Sequence, residues 1–163
     1  MKIHITGNAG SGKTTLALKL GQSLNVPVTS LDSVVWKKGW VPASMEERIH
    51  SEQRLISSDC WVIEGVSKTV RENADYIIFL DVPRLVCLFR CFKRNFIYLF
   101  KSRPELPENC PEILIVPQLL KIIWKFPDRA RPIILETLDR KRGVVISNLN
   151  NIDDLIAEIS AEY

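Results

Sequence analysis

The chain has 163 residues, of which 46% are hydrophobic and 25% charged, with a net charge of +3. That profile fits one globular domain around a single core and excludes a disordered chain. Membrane crossing needs roughly 20 uninterrupted apolar residues. The longest candidate, 85–100, is broken by Arg90, Lys93 and Arg94.

Residues 1–5 run directly into a turn at Gly7, which leaves no room for the apolar core of a signal peptide. A cytoplasmic location is therefore expected. The first apolar run, Lys2–Thr6, is β-branched and reads as a strand. Behind it Leu16, Ala17, Leu20 and Leu24 recur at helical spacing, and Asn25 followed by Pro27 ends the helix. A second strand is expected over Val26–Leu31. Ser44 and Glu47 then form a capping box, with Met45, Ile49 and Ile56 along one helical face. Further strands are expected over Cys60–Glu64, Tyr76–Asp81 and Gly143–Ser147, and a closing helix over Ile152–Ile159. The segment Arg103–Pro117 carries four prolines and reads as a stiff loop.

Short continuous apolar strands alternating with helices predict an α/β fold with a mostly parallel sheet covered on both faces. Ligands bind such sheets at the carboxyl ends of the strands. That rule gathers Thr6, Asp32, Glu64 and Asp81 on one rim. Cys60, Cys87, Cys91 and Cys110 contain no C-x-x-C pair, so a zinc site is disfavoured. Reduced thiols beside the core are expected instead, with Cys87 and Cys91 sharing a helix face.

Gly7-Asn8-Ala9-Gly10-Ser11-Gly12-Lys13-Thr14 matches G-x-x-x-x-G-K-[ST] at every fixed position. Glycines let the backbone wrap a phosphate with its N–H groups, and the helix that follows points its positive end at the same place. Lys13 supplies a mobile charge for the β- and γ-phosphates, and Thr14 a hydroxyl ligand for Mg²⁺. The surrounding strand and amphipathic helix are the context the motif requires. ATP and Mg²⁺ are therefore the expected cofactors, held by Gly7 to Thr15.

The rim acids are open to more than one reading. Asp32 suits a base for an acceptor hydroxyl or a partner for metal-bound water, or else a turn cap. Glu64 and Asp81 suit support of Mg²⁺, with capping the alternative for Asp81 before Pro83. Arg71, just beyond Glu64-Gly65, is placed to clamp an acceptor phosphate or to sit solvated on the surface.

Residues 84–142 hold thirteen Lys and Arg against six Asp and Glu. Arg90, Lys93, Arg94 and Lys101 fall on one helical stripe, the other faces being apolar. Three functional roles compete for this stripe: a lid whose arginines neutralise the transferred phosphoryl, an interfacial membrane helix, or a DNA-contacting helix. A buried helix with one solvated edge is the plainer possibility. Its place directly after the fourth strand favours the lid, with Arg90 and Arg94 catalytic. Arg129 and Arg131 are expected to approach the nucleotide from a later loop.

Beyond the P-loop, the chain resembles the small P-loop proteins of the DNA topology modulation (FlaR-related) family, in the adenylate kinase-like and shikimate kinase-like group. The likeness rests on Gly7–Thr15, Leu31-Asp32 with Trp36, Gly39-Trp40-Val41-Pro42, residues 61–65, residues 80–84, residues 103–112, and residues 124–127 with Arg131-Pro132. It implies a three-layer P-loop NTPase fold with a five-stranded parallel sheet and a helical lid over about 84–132, in a single domain spanning 1–163. It also implies a nucleoside-monophosphate or small-metabolite kinase activity; from the residues themselves, the acceptor is expected across the rim near Asp32, Glu64 and Arg71. Ser33 and Val66 depart from the family pattern, both where an acceptor would bind. The alternative is a nucleotide-responsive DNA-binding protein without kinase activity.

Overall fold

The computed structural model describes residues 1–97, 114–148 and 152–162. Five parallel strands form the central sheet: β1 (Lys2–Gly7), β2 (Val28–Ser30), β5 (Trp61–Glu64), β6 (Tyr76–Leu80) and β7 (Gly143–Ile146). Their order is β2-β5-β1-β6-β7. All five expected strands are present, displaced by a residue or two at their ends. Between β2 and β5 the sequence reading missed a two-stranded hairpin, β3 (Trp36–Lys37) and β4 (Val41–Pro42). Two-residue strands are too short to show alternation.

Period-two alternation decides which face each strand residue covers. Ile3 and Ile5, Val62, and Ile78 and Leu80 join Leu16, Ala17 and Leu20 of α1 (Lys13–Leu24) and Ile159 of α8 (Ile152–Glu162) in the larger core. Cys87 and Cys91 of α5 (Arg84–Ile97) close the same core. On the opposite face Trp61, Ile63 and Ile77 meet α3 (Met45–Ile56), α4 (Lys68–Asn73) and α7 (Arg131–Leu138). Between these regions α6 (Val116–Arg129) contributes Ile123 to the first core and Phe126 to a small cluster with Phe79 and Ile134. The result is helix, sheet, helix.

Local chemistry fixes several helix ends. The capping box at Ser44 is complete, with Glu47 N donating to Ser44 Oγ at 3.2 Å and Ser44 N to Glu47 Oε2 at 2.9 Å. The expected apolar face of α3 is only partly correct: Met45 and Ile49 are exposed, and Ile56 alone of the three packs inward. Its buried residue is Glu52, which accepts a hydrogen bond from Ser67 Oγ at 2.8 Å. Ser67 in turn caps α4 by accepting from Val70 N. Pro117 was expected in a loop but lies in the first turn of α6, where its missing N–H costs nothing. Cys110 and residues 98–113, with Lys101 and most of the proline-rich segment, lie outside the described residues.

His4 lies in the middle of β1, fully buried, with Nε2 3.1 Å from the Gly65 carbonyl. Burial above all, with the charges of Arg71 and Lys13, lowers its pKa from 6.5 to about 3. It is therefore neutral and donates from Nε2. The folded pKa lies below the unfolded value, so this contribution is complete above pH 6.5 and is lost as the pH falls towards 3. Each pH unit in that window removes up to about 1.4 kcal/mol. Urea denaturation between pH 7 and pH 5 is expected to show that loss, and His4→Asn to flatten it. An unchanged slope in the variant would assign the acid sensitivity elsewhere.

Candidate functional site

The loop between β1 and α1 has the geometry its glycines allow. Gly10 and Gly12 hold φ values of +78° and +103°. A Cβ on Gly10 would lie 2.5 Å from the Cys87 carbonyl oxygen and 2.7 Å from Cys91 Sγ, so α5 rests directly against the loop. Lys13 Nζ donates to the Asn8 carbonyl at 2.9 Å, folded back over the loop. Asn8 is buried, and its amide fixes the loop by donating to Ile123 O at 3.0 Å and accepting from Ala9 N at 2.8 Å. The Ser11 hydroxyl is buried without a partner.

A cavity of about 590 Å³ opens from this loop, a size suited to small ligands. Gly7, Ala9, Gly10, Gly12, Lys13, Thr14 and Thr15 form one end. Arg90 and Arg94 enter from α5, one helical turn apart. Arg90 Nη1 donates to Ser11 O at 3.4 Å, and Arg94 Nε is buried without a partner. Of the expected basic stripe, Lys93 does not line the cavity. The outward face of α5 is apolar and exposed, at Leu85, Phe89 and Phe92.

Glu64, at the end of β5, joins the two ends of the cavity. Its Oε1 accepts from Thr14 Oγ1 at 3.2 Å and from Ser30 Oγ at 2.6 Å. Thr14 spends its proton on Glu64, which leaves its oxygen lone pairs for a cation. A hydroxyl beside a buried carboxylate is a hard-oxygen donor set that fits Mg²⁺, an ion that also keeps waters and substrate phosphates as ligands. Among the three rim acids, Glu64 is the one that touches the expected metal ligand.

The far end of the cavity holds Asp32, Leu31, Val35, Gly65 and Val66, with Trp36, Trp40 and Arg48. Asp32 lies two residues beyond the end of β2 and opens the short helix α2 (Asp32–Val35). Its N–H donates to Ser30 Oγ at 3.3 Å, so one serine touches both acids. Ser33 turns back to the Ser30 carbonyl at 2.7 Å.

Asn8 and Ser11 of the loop do not themselves line the cavity, and neither do Arg71, Asp81, Arg129 or Arg131, all expected at the site. Arg71 is buried, with Nε donating to Thr137 Oγ1 at 3.1 Å. Its position on α4 turns it towards α7, and burial lowers its pKa. Arg131 makes a bidentate pair with Asp81, through Nε at 3.0 Å and Nη2 at 2.8 Å, and that carboxylate raises its pKa. The pair ties α7 to the end of β6 and occupies both groups.

Sequence reasoning missed Arg48 and gave Trp36 and Trp40 no role. Arg48 lines the cavity from the first turn of α3, and its Nε is buried without a partner. Trp40 holds φ +60°, a conformation costing a bulky side chain on the order of 1–3 kcal/mol. A three-residue turn carries no periodicity that would have announced the conformation of Trp40, and nothing in the pattern of α3 marks Arg48.

No family model matches the chain. A shikimate kinase from Caldicellulosiruptor saccharolyticus is 33% identical over 105 residues, 63% of this chain and 59% of that protein. The match thus spans less than two thirds of the relative's length. Two solved structures are similar over nearly the whole chain. One is an unliganded sugar kinase from Janibacter sp. HTCC2649, with TM-score 0.53 and 16% identity, covering 98% of this chain and 91% of that one. The other is shikimate kinase from Acinetobacter baumannii in complex with shikimate, with TM-score 0.54 and 20% identity, covering 96% and 89%. The chain therefore has the α/β fold of P-loop kinases, with its five-stranded parallel sheet.

Gly10→Ala tests the contact between loop and α5. The strained φ and the backbone clash predict a loss on the order of 1–3 kcal/mol, read as a lower thermal midpoint. An unchanged midpoint would show that α5 is free to withdraw.

Proposed function

We propose that the protein is a Mg²⁺-dependent phosphotransferase that moves the γ-phosphoryl of ATP to the hydroxyl of a small metabolite. The observation that carries this reading is the distribution of charge in one cavity. Lys13, Arg90 and Arg94 gather at the P-loop end, while Asp32 and Glu64 line the remainder with Arg48. Three cations suit a triphosphate, and carboxylates repel an acceptor that is itself a phosphate. An alcohol has no such conflict and needs a proton acceptor. Asp32 fills that role here.

The backbone from Gly7 to Thr15 cradles the phosphates, with Lys13 released from Asn8 onto the β- and γ-oxygens. Thr14, with Glu64 beside it, would hold Mg²⁺, which would supply neutralisation of phosphate charge. The acceptor oxygen forms a bond to the γ-phosphorus as the bond to the β-bridging oxygen breaks. ADP leaves, and the alcohol proton passes to Asp32 and then to water. Arg90 and Arg94 neutralise the phosphoryl in flight. Leu119, Ile122 and Phe126 of α6 line the same cavity, which supports residues 84–132 acting as a lid that excludes water.

Residues 31–32, 36, 39–42 and 64–65 carry much of the likeness to the DNA topology modulation family, and most of them line the acceptor end. That supports membership of the family as a kinase. The DNA-binding alternative gains nothing from the described residues.

The test is ADP release from Mg-ATP with a panel of hydroxylated acids, sugars and nucleoside monophosphates, shikimate included. At least one alcohol is expected to raise ADP release above basal hydrolysis, and monophosphates are expected not to. Asp32→Asn should lower kcat by about 10²- to 10⁴-fold with little change in the KM for ATP. Lys13→Ala should abolish turnover in a folded protein. Turnover of a monophosphate, or a fully active Asp32→Asn variant, would refute the alcohol acceptor.

A further inference from the structure

The P-loop motif leaves its second position open, yet the residue found there, Asn8, is buried. Its side chain does not line the cavity and reaches α6 instead. Nδ2 donates to the Ile123 carbonyl at 3.0 Å, and Oδ1 accepts from Ala9 N at 2.8 Å. The carbonyl of Asn8 accepts from Ser11 N at 3.2 Å and from Lys13 Nζ at 2.9 Å. One residue thus joins the turn of the loop, the P-loop lysine and a helix 115 residues away in sequence.

Ile123 is open to that bond because of the residue four positions on. In a regular helix the carbonyl of residue i takes the N–H of residue i+4. Pro127 lies inside α6 and has no N–H, and a proline ring also crowds the carbonyl four residues before it. The Ile123 carbonyl is therefore left without its helical donor, at a residue that is wholly buried. A buried carbonyl needs a donor from elsewhere, and the amide of Asn8 supplies it. Proline and asparagine act as a matched pair: one removes the donor and the other replaces it.

Both ends of this bond serve the cavity. The loop offers its backbone N–H groups to phosphate, and α6 supplies Leu119, Ile122 and Phe126 to the wall. A Cβ-sized gap at Gly10 separates the loop from α5, a contact that fixes distance alone. The bond to α6 fixes direction as well. Breaking it without replacement would leave a buried donor and a buried acceptor unpaired, so loop and helix are held to move together.

We infer that Asn8 is a positioning residue that couples the phosphate-binding loop to α6, so that a nucleotide held by the loop also stiffens the cavity wall at Leu119, Ile122 and Phe126. The response to nucleotide rests on the phosphotransferase reading; the tie between Asn8 and the Ile123 carbonyl does not.

Two measurements on the full chain test these parts separately. The first is a thermal-melt cycle. Asn8→Ala strands the Ile123 carbonyl and is expected to lower the midpoint by about 3 to 10 °C. Pro127→Ala restores an N–H four residues on, so the same Asn8→Ala change in that background is expected to cost less than about half as much. The second is amide exchange read by mass spectrometry. Mg-ADP is expected to slow exchange in peptides covering 119–129 by about 5- to 50-fold in the unmodified chain, the size of an ordinary coupling between sites. In the Asn8→Ala, Pro127→Ala double variant the carbonyl stays paired within the helix. There the slowing should fall below about 2-fold while residues 7–15 stay protected. A merely structural Asn8 would lose stability without losing the response of α6.

Equal midpoint losses in the two backgrounds, or full slowing at 119–129 in the double variant, would overturn the inference. So would protection of 7–15 with none at 119–129 in the unmodified chain, a result that leaves the phosphotransferase standing. Protection of neither segment by Mg-ADP would remove the nucleotide reading and the coupling with it, while the melt cycle still decides the tie.

Discussion

One carboxylate oxygen holds the two halves of the cavity in register. Glu64 Oε1 accepts from Thr14 at the start of α1 and from Ser30 at the end of β2, and Ser30 also accepts from the backbone of Asp32. Three separate stretches of chain meet there because β2 and β1 flank β5 on opposite sides. Ser30 pairs with Glu64 in the β2–β5 register, and Ile5 pairs with Glu64 on the other side. Glu64 is nearly inaccessible, and a buried carboxylate survives only with donors around it. Its need for donors orients the Thr14 hydroxyl and anchors the turn that carries Asp32. Donor and acceptor ends are thus set by one local hydrogen-bond requirement.

The close approach of α5 to the P-loop does the same for the cationic side. Cys87 and Cys91 are small, and Gly10 has no side chain, so helix and loop meet without a gap. Arg90 and Arg94, on the neighbouring helical positions, are then carried into the cavity. The basic excess of residues 84–142 looks different once its members are placed. Arg84 lies 4.3 Å over the Trp124 ring, Arg131 is bound to Asp81, and Lys141 donates to the carbonyls of Glu72 and Ala74. Much of the positive charge holds the fold together or faces the cavity. A count of charges along the chain could not make that distinction.

What the sequence revealed divides along the same physical lines. The P-loop, the five strands and the rim position of Glu64 were legible because each rests on a local rule: a fixed motif, an apolar run, a strand ending on an acid. Cys87 and Cys91 were read correctly as core thiols from their helical spacing. Arg71 and Arg131 were misplaced, because helix spacing shows that a residue lies near a strand's end but not which way its face turns. Arg71 turns to Thr137 and Arg131 to Asp81, partners 66 and 50 residues away in sequence. Arg48 was invisible for a related reason. It stands in an ordinary capped helix turn, and its place in the cavity comes from the fold and not from any pattern around it.

That contrast explains why the donor end of such a protein is easier to read than the acceptor end. Triphosphate is the same ligand in every P-loop protein, so the backbone that holds it can be written as a motif. The far end of this cavity is lined instead by side chains from β5 and from the segment between β2 and β5, brought together only by the fold. Strain at Trp40 and an unmatched Arg48 nitrogen both cost the fold stability. Both lie at the same end of one cavity, built by tertiary contacts and outside the stretch that a motif can describe.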